Sequence, residues 1–141
     1  MANNEYRKLP VGIQSFNKIR EEGYLYVDKS DIIWKLANNG KQYNYLSRPR
    51  RFGKSVLVDT LQAYFEGRKD LFEGLKIMEL EKDWKQYPVI RLDMSRGGAT
   101  ADEVKAYLDR TFDVYEQLYG IHIKPTDSLG NRFDLIIKTA Y

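Results

Sequence analysis

Gly53-Lys54-Ser55 is the feature that most constrains what this chain can fold into. It stands between an apolar run, Tyr43 to Ser47, and a helical pattern, Lys54 to Glu66. In that pattern Leu57, Leu61, Tyr64 and Phe65 share one face, and Gly67 marks the end. A strand, a glycine-containing loop and a helix in this order suit the binding of phosphate. Gly53 has no Cβ, so backbone N–H groups can approach an anion closely. The helix starting behind it offers free N–H donors and partial positive charge. The octet Arg48-Pro49-Arg50-Arg51-Phe52-Gly53-Lys54-Ser55 meets the GxxxxGK[ST] pattern of a Walker A loop in its second glycine, lysine and serine, with Arg48 where the first glycine would stand. In that reading all eight residues form the nucleotide-binding loop. Lys54 reaches the β- and γ-phosphates, and the Ser55 hydroxyl ligates Mg²⁺, which prefers oxygen ligands. Arg50 and Arg51 add phosphate contacts or raise the local potential. A basic surface turn leading into a glycine-started helix has the same composition and remains the alternative.

The rest of the chain reads as helices alternating with short extended runs. Ser15 is expected to cap a helix through Glu22, stopped by Gly23, followed by a short strand at Tyr24 to Val27. Asp28 reads as the N-cap of a helix over 29–39, closed by Asn39-Gly40. Residues 68–86 read as irregular, with a turn at Asp70 to Phe72 and a contact from Trp84. Pro88 to Asp93 reads as a strand entered by proline. Thr100 and Glu103 match a capping box, opening a helix through Tyr119 that Gly120 ends. Asn131 is placed as the cap of a last helix. Strands alternating with helices imply an α/β fold, a P-loop-type parallel sheet with flanking helices. Only two strong strands are legible, so the expected architecture is an incomplete, N-terminal portion of such a domain. Residues 1–40 form a helical lead-in, and residues 41–141 a phosphate-loop core.

Composition narrows the function classes. Hydrophobic residues make up 43% and charged residues 30%, a globular balance. The net charge of +3 is too mild to argue for nucleic acid, and one basic cluster stands out, Arg48, Arg50, Arg51 and Lys54. There is no cysteine, which excludes disulfides and thiolate metal sites. Neither a signal peptide nor an apolar run of about 18 residues is visible, so the expectation is a soluble cytoplasmic protein without membrane contact.

The strings LSRPRRFGKS, YFEG, LPVGIQSF, GYLYVDKS and YPVIRLDMS resemble the bacterial AAA-ATPase-like family from about Leu9 to the chain end. That resemblance implies a P-loop ATPase domain, usually followed by a predicted PD-(D/E)XK nuclease-like domain. It carries phosphate-loop roles onto Gly53, Lys54 and Ser55, and accounts for arginine at the first-glycine position. ATP and Mg²⁺ are the implied cofactors. Nucleic acid is a possible partner through the C-terminal domain of the full-length protein. Tyr26 or Lys29 is then a candidate contact on the base and sugar side.

A Walker B acid is not evident. Val89 to Asp93 imitates an apolar run ending in Asp, but Arg91 interrupts it and Met94-Ser95 follow where an acid pair is expected. The resemblance puts the true Walker B strand beyond Tyr141. The expectation is therefore a fragment that binds nucleotide and does not hydrolyse it. The alternatives are a nucleic-acid-binding module using the Arg48 to Lys54 loop, and an interaction domain that has lost nucleotide. His122 reads as a loop residue. Asp102, Glu103, Asp109, Asp113 and Glu116 read as the solvated face of the long helix.

Overall fold

A computed structural model describes residues 7–122 and 127–140. The first six residues of the lead-in expected over 1–40 lie outside them. Six α-helices are described: α1 (Phe16–Glu21), α2 (Ser30–Ala37), α3 (Lys54–Phe65), α4 (Ile77–Leu80), α5 (Ala101–Tyr119) and α6 (Leu129–Ala140). Two short 3₁₀ turns, Lys69–Phe72 and Met94–Arg96, join them.

Among the described residues there is no strand, and this overturns the parallel-sheet α/β expectation. The reason is pairing. An extended run becomes a strand only when a neighbour takes its backbone donors and acceptors. Residues 43–47 make no backbone hydrogen bond within the described residues, and the Tyr43 and Tyr45 side chains stand out in solvent. The segment 88–93 sends its backbone N–H groups to side chains instead. Arg91 N–H donates to the Tyr115 hydroxyl at 2.8 Å and Asp93 N–H to the Tyr107 hydroxyl at 2.8 Å. At 24–27 the Tyr24 N–H turns back to the Ile19 carbonyl, and among the described residues one bond reaches another extended segment, from the Leu25 N–H to the Lys8 carbonyl.

Packing divides the chain into two compact units, Met1–Tyr87 and Pro88–Tyr141. In the first, Phe16, Ile33, Phe72 and Ile77 are fully buried and form the core with Ala63, Tyr64, Leu71 and Leu75. The phenyl ring of Phe72 lies between Phe16, at 5.0 Å, and Trp84, at 5.2 Å between centroids. Residues 68–86 are thus more ordered than their sequence suggests, holding both the Lys69–Phe72 turn and α4. Asp28, expected as the N-cap of α2, stands one residue before the observed N-cap, Lys29, and its carboxylate reaches the helix start from there. One carboxylate oxygen accepts from the Ser30 N–H at 2.9 Å and the other from the Lys76 N–H at 2.8 Å, while the Ser30 hydroxyl accepts from Ile77 N–H at 3.0 Å. Two helix starts are thereby tied by one aspartate and one serine.

In the second unit the capping box is formed. Glu103 N–H donates to the Thr100 hydroxyl at 3.3 Å, and Thr100 N–H to the Glu103 carboxylate at 2.9 Å. α5 packs on α6 through Phe112 and Phe133, stacked at 5.5 Å. The cap of α6 is Ser128, whose hydroxyl accepts from Asn131 N–H, so Asn131 lies inside the helix. Asp109, Asp113 and Glu116 are not merely a solvated face. All three carboxylates converge on the buried guanidinium of Arg132, at 2.8, 2.7 and 2.8 Å, and Glu116 is itself buried.

Candidate functional site

The loop before α3 is shaped by two residues in the left-handed backbone region, Arg51 (φ 65°) and Gly53 (φ 74°). For glycine this conformation is cheap, whereas for arginine it is uncommon. Gly53 is the N-cap of α3, with no side chain to satisfy the first turn. The N–H groups of Lys54, Ser55 and Val56 therefore have no partner among the described residues, as the start of an α-helix requires unless something caps it. A Cβ built on Gly53 meets nothing within 4 Å, so no neighbour crowds the loop at this glycine.

Lys54 is the first residue of the helix and is exposed. Its ammonium turns back over the loop and donates to the Arg48 carbonyl at 2.7 Å, which ties the two ends of the octet together. The Ser55 hydroxyl has no hydrogen-bond partner among the described residues.

These groups line an open cleft of about 490 Å³ whose walls are Arg51, Gly53, Lys54, Ser55 and Val56 on one side and Gly12, Ile13 and Gln14 on the other. Four of the eight loop residues anticipated from the sequence thus meet in one place. Arg48 takes part through its carbonyl, while Pro49, Arg50 and Phe52 are exposed and do not line the cleft. The opposite wall was not singled out by spacing. Its signal is the string LPVGIQSF, in which Gly12 (φ 76°) closes a turn where Val11 N–H donates to the Leu9 carbonyl and Ile13 N–H to the Pro10 carbonyl. The wall is anchored because Phe16 N–H, at the start of α1, donates to the Asp59 carboxylate on α3 at 3.2 Å.

The electrostatics of the cleft are one-sided. Arg51, Lys54 and the positive end of a 12-residue helix face it, and no lining residue among those described is a carboxylate. The arrangement suits a polyanion. For Mg²⁺ the same lining offers one hydroxyl, that of Ser55, so the residues present fit the phosphate part of a metal–nucleotide complex and only one ligand of its cation. No group of three or more His, Asp or Glu side chains suited to a metal ion is found among the described residues.

The remaining candidates lie elsewhere. Tyr26 packs its ring edge-on against Phe16 at 5.2 Å, burial pushes its phenol pKa up, and it does not line the cleft. Lys29 is exposed at the N-cap of α2, also outside the cleft lining. Asp93 is engaged locally. One oxygen accepts from the Ser95 hydroxyl at 2.5 Å and the Ser95 N–H at 3.2 Å, and the other pairs with Arg96 at 3.2 Å. The Ser95 contacts, with Arg96 and Arg91 nearby, hold its carboxyl below the usual range. His122 is exposed.

The profile of a family described as predicted AAA-ATPase, AAA-ATPase-like, matches residues 10–141. A curated relative, an uncharacterised protein in the vnfD 5′ region of Azotobacter chroococcum mcd 1, is 39% identical over 139 residues, which cover 96% of this chain and 26% of the relative. The chain spans about a quarter of that relative's length. No solved structure matches it. No helix among the described residues is long and apolar enough to cross a membrane.

Proposed function

The chain belongs to the AAA-ATPase-like family, and from that premise we propose that its first unit is a nucleoside-triphosphate-binding module of a larger ATPase, with residues 48–55 as the phosphate cradle. The observation that carries this reading is the open start of α3, where Lys54, Ser55 and amides with no partner among the described residues face one cleft, and none of the described residues lining it is a carboxylate. In this reading the triphosphate lies across the Gly53 to Val56 amides. Lys54 exchanges its bond to the Arg48 carbonyl for phosphate oxygens, and Ser55 offers its hydroxyl to Mg²⁺. Gly12 to Gln14 close the far side. ATP with Mg²⁺ is the ligand proposed.

Calorimetric titration with a non-hydrolysable ATP analogue and Mg²⁺ tests the assignment. Hydrogen bonds to a charged group contribute about 1.5–3 kcal/mol each. Lys54→Ala should therefore weaken binding by about tenfold or more. Equal affinity in wild type and Lys54→Ala removes the phosphate cradle. Equal losses from Arg48→Ala, Arg51→Ala and Lys54→Ala, with a steep salt dependence, would point instead to a diffuse basic patch contacting nucleic-acid phosphates.

A further inference from the structure

The first unit holds a second cavity, of about 180 Å³, where the C-terminal ends of α2 and α3 meet residues 81–87. Four aromatic side chains, Tyr64, Phe65, Trp84 and Tyr87, form its walls, with the carboxylates of Glu81 and Asp83. The rings do not stack on one another. Tyr64 meets Phe65 at 68° and Trp84 at 65°, and Phe65 meets Tyr87 at 81°, with centroids 5.2, 5.8 and 6.0 Å apart. The rings pack edge to face, so the aromatic side chains that line the cavity stand at steep angles to one another.

The cavity is built and held. Trp84 sits at φ 43°, a left-handed conformation that a bulky residue adopts only when its surroundings over-determine it. Glu81 accepts from the Tyr64 hydroxyl and, at 3.0 Å, from the Asp83 N–H, which fixes the turn into Trp84. The Tyr87 N–H donates to the Phe65 carbonyl at 2.7 Å, which fixes the opposite wall. Burial pushes the Glu81 carboxyl up, but the hydrogen bonds from Tyr64 and the 82–84 backbone outweigh it and hold the group ionised. The Asp83 carboxylate is exposed and has no hydrogen-bond or ion-pair partner among the described residues. Against these two negative charges stands one ammonium, that of Lys85, exposed at the rim.

We propose that this pocket binds a small organic cation of the methylated-ammonium class, with its methyl groups against the ring faces and its charge toward Glu81 and Asp83. Aromatic faces attract cations through their quadrupole, and quaternary ammonium groups are the ligands aromatic cages recognise. The cavity is smaller than the roughly 300–1,000 Å³ of a site for a drug-sized ligand, so it admits a head group and not an extended molecule. A neutral apolar guest would strip water from the Asp83 carboxylate without compensation, and a phosphate-bearing guest would be repelled by both carboxylates. The nucleotide cleft plays no part in this reading, and the two assignments stand or fall separately.

The experiment is calorimetric titration of the 141-residue chain with choline and with its uncharged isostere, in which carbon replaces the quaternary nitrogen. A peptide carrying trimethyllysine forms a third arm and tells a free cation from a modified side chain by which binds tighter. Choline should bind at least about fivefold tighter than the isostere, from the cation–π contribution. Tyr87→Leu keeps the apolar wall and removes one ring face, and should weaken choline by several-fold. Asp83→Asn should weaken choline and leave the isostere unchanged. The Asp83 carboxylate makes no hydrogen bond or ion pair among the described residues, so this variant should melt like wild type. Equal affinity for choline and its isostere, or no binding of either cation by the folded chain, overturns the proposal.

Discussion

At the scale of single residues, Gly53 and Asp28 carry roles that can be measured without any ligand. Gly53 adopts φ 74° and has open space where a Cβ would go, so a substitution meets a conformational cost and no clash. Holding an L-residue in that region costs about 1–2 kcal/mol. Gly53→Ala should lower unfolding free energy in urea by about that amount, and Gly53→Asn by less, since asparagine tolerates the left-handed region better. A loss of several kcal/mol would mean that the loop depends on more than backbone conformation. Asp28 makes a different kind of prediction. Burial pushes its carboxyl up, but the Ser30 contacts and the Lys76 N–H outweigh this and leave it below its ordinary value. The folded state therefore favours the charged form. The stabilisation is fully present above the unfolded carboxyl pKa of about 3.9 and is lost as pH falls through the lower folded value. Asp28→Asn should reduce stability near neutrality and flatten its decline in acid. Melting temperatures followed from neutral pH down to about pH 2 would check this, and parallel curves for wild type and variant would refute it.

At the scale of elements, the α5–α6 pair is the clearest case of a contact invisible to local reading. Arg132 donates to Glu116, Asp109 and Asp113, and its guanidinium lies 5.8 Å from the centre of the Phe112 ring. Three carboxylates 3 or 4 residues apart lie on one face of α5, so the helical period aligns them, but only docking of α6 reveals the cation they meet. Removing one partner of a buried ion pair leaves a buried charge, at a cost of about 3–5 kcal/mol. Arg132→Ala should cost about that much, because Glu116 remains buried. Arg132→Met combined with Glu116→Leu should recover most of the loss. Amide hydrogen exchange in α5 and α6 reads both. No change in protection for Arg132→Ala would mean that the network is not what holds the pair.

At the scale of the whole molecule, catalysis is the informative test. None of the described residues lining the cleft beside α3 is a carboxylate, and Asp93 is occupied by Ser95 and Arg96. Hydrolysis needs a group to orient water and acids to hold the metal. Steady-state phosphate release by this 141-residue chain at saturating ATP and Mg²⁺ should stay at background. Robust turnover that disappears in Lys54→Ala would show that an acid within these residues completes the site. The chain covers 26% of the relative it resembles, and the proposal that it is the nucleotide-binding part of a larger ATPase rests on that family membership.

Sequence by itself determined the parts of this protein that depend on neighbours along the chain. The start of α3 at Lys54, the box at Thr100 and Glu103, and the closing glycines Gly23, Gly67 and Gly120 are all settled within a few residues, because capping and left-handed turns are short-range chemistry. The Gly53, Lys54 and Ser55 constellation was legible for the same reason. Tertiary structure alone decided what lies opposite. It brought Gly12 to Gln14 to the cleft, set Ile77 beneath the Ser30 hydroxyl to order α4, and turned Glu116 from a surface acid into a buried partner of Arg132. It also decided against the sheet. Apolar runs at 43–47 and 88–93 mark segments able to pair, but pairing belongs to two segments at once, and no described residue supplies the second.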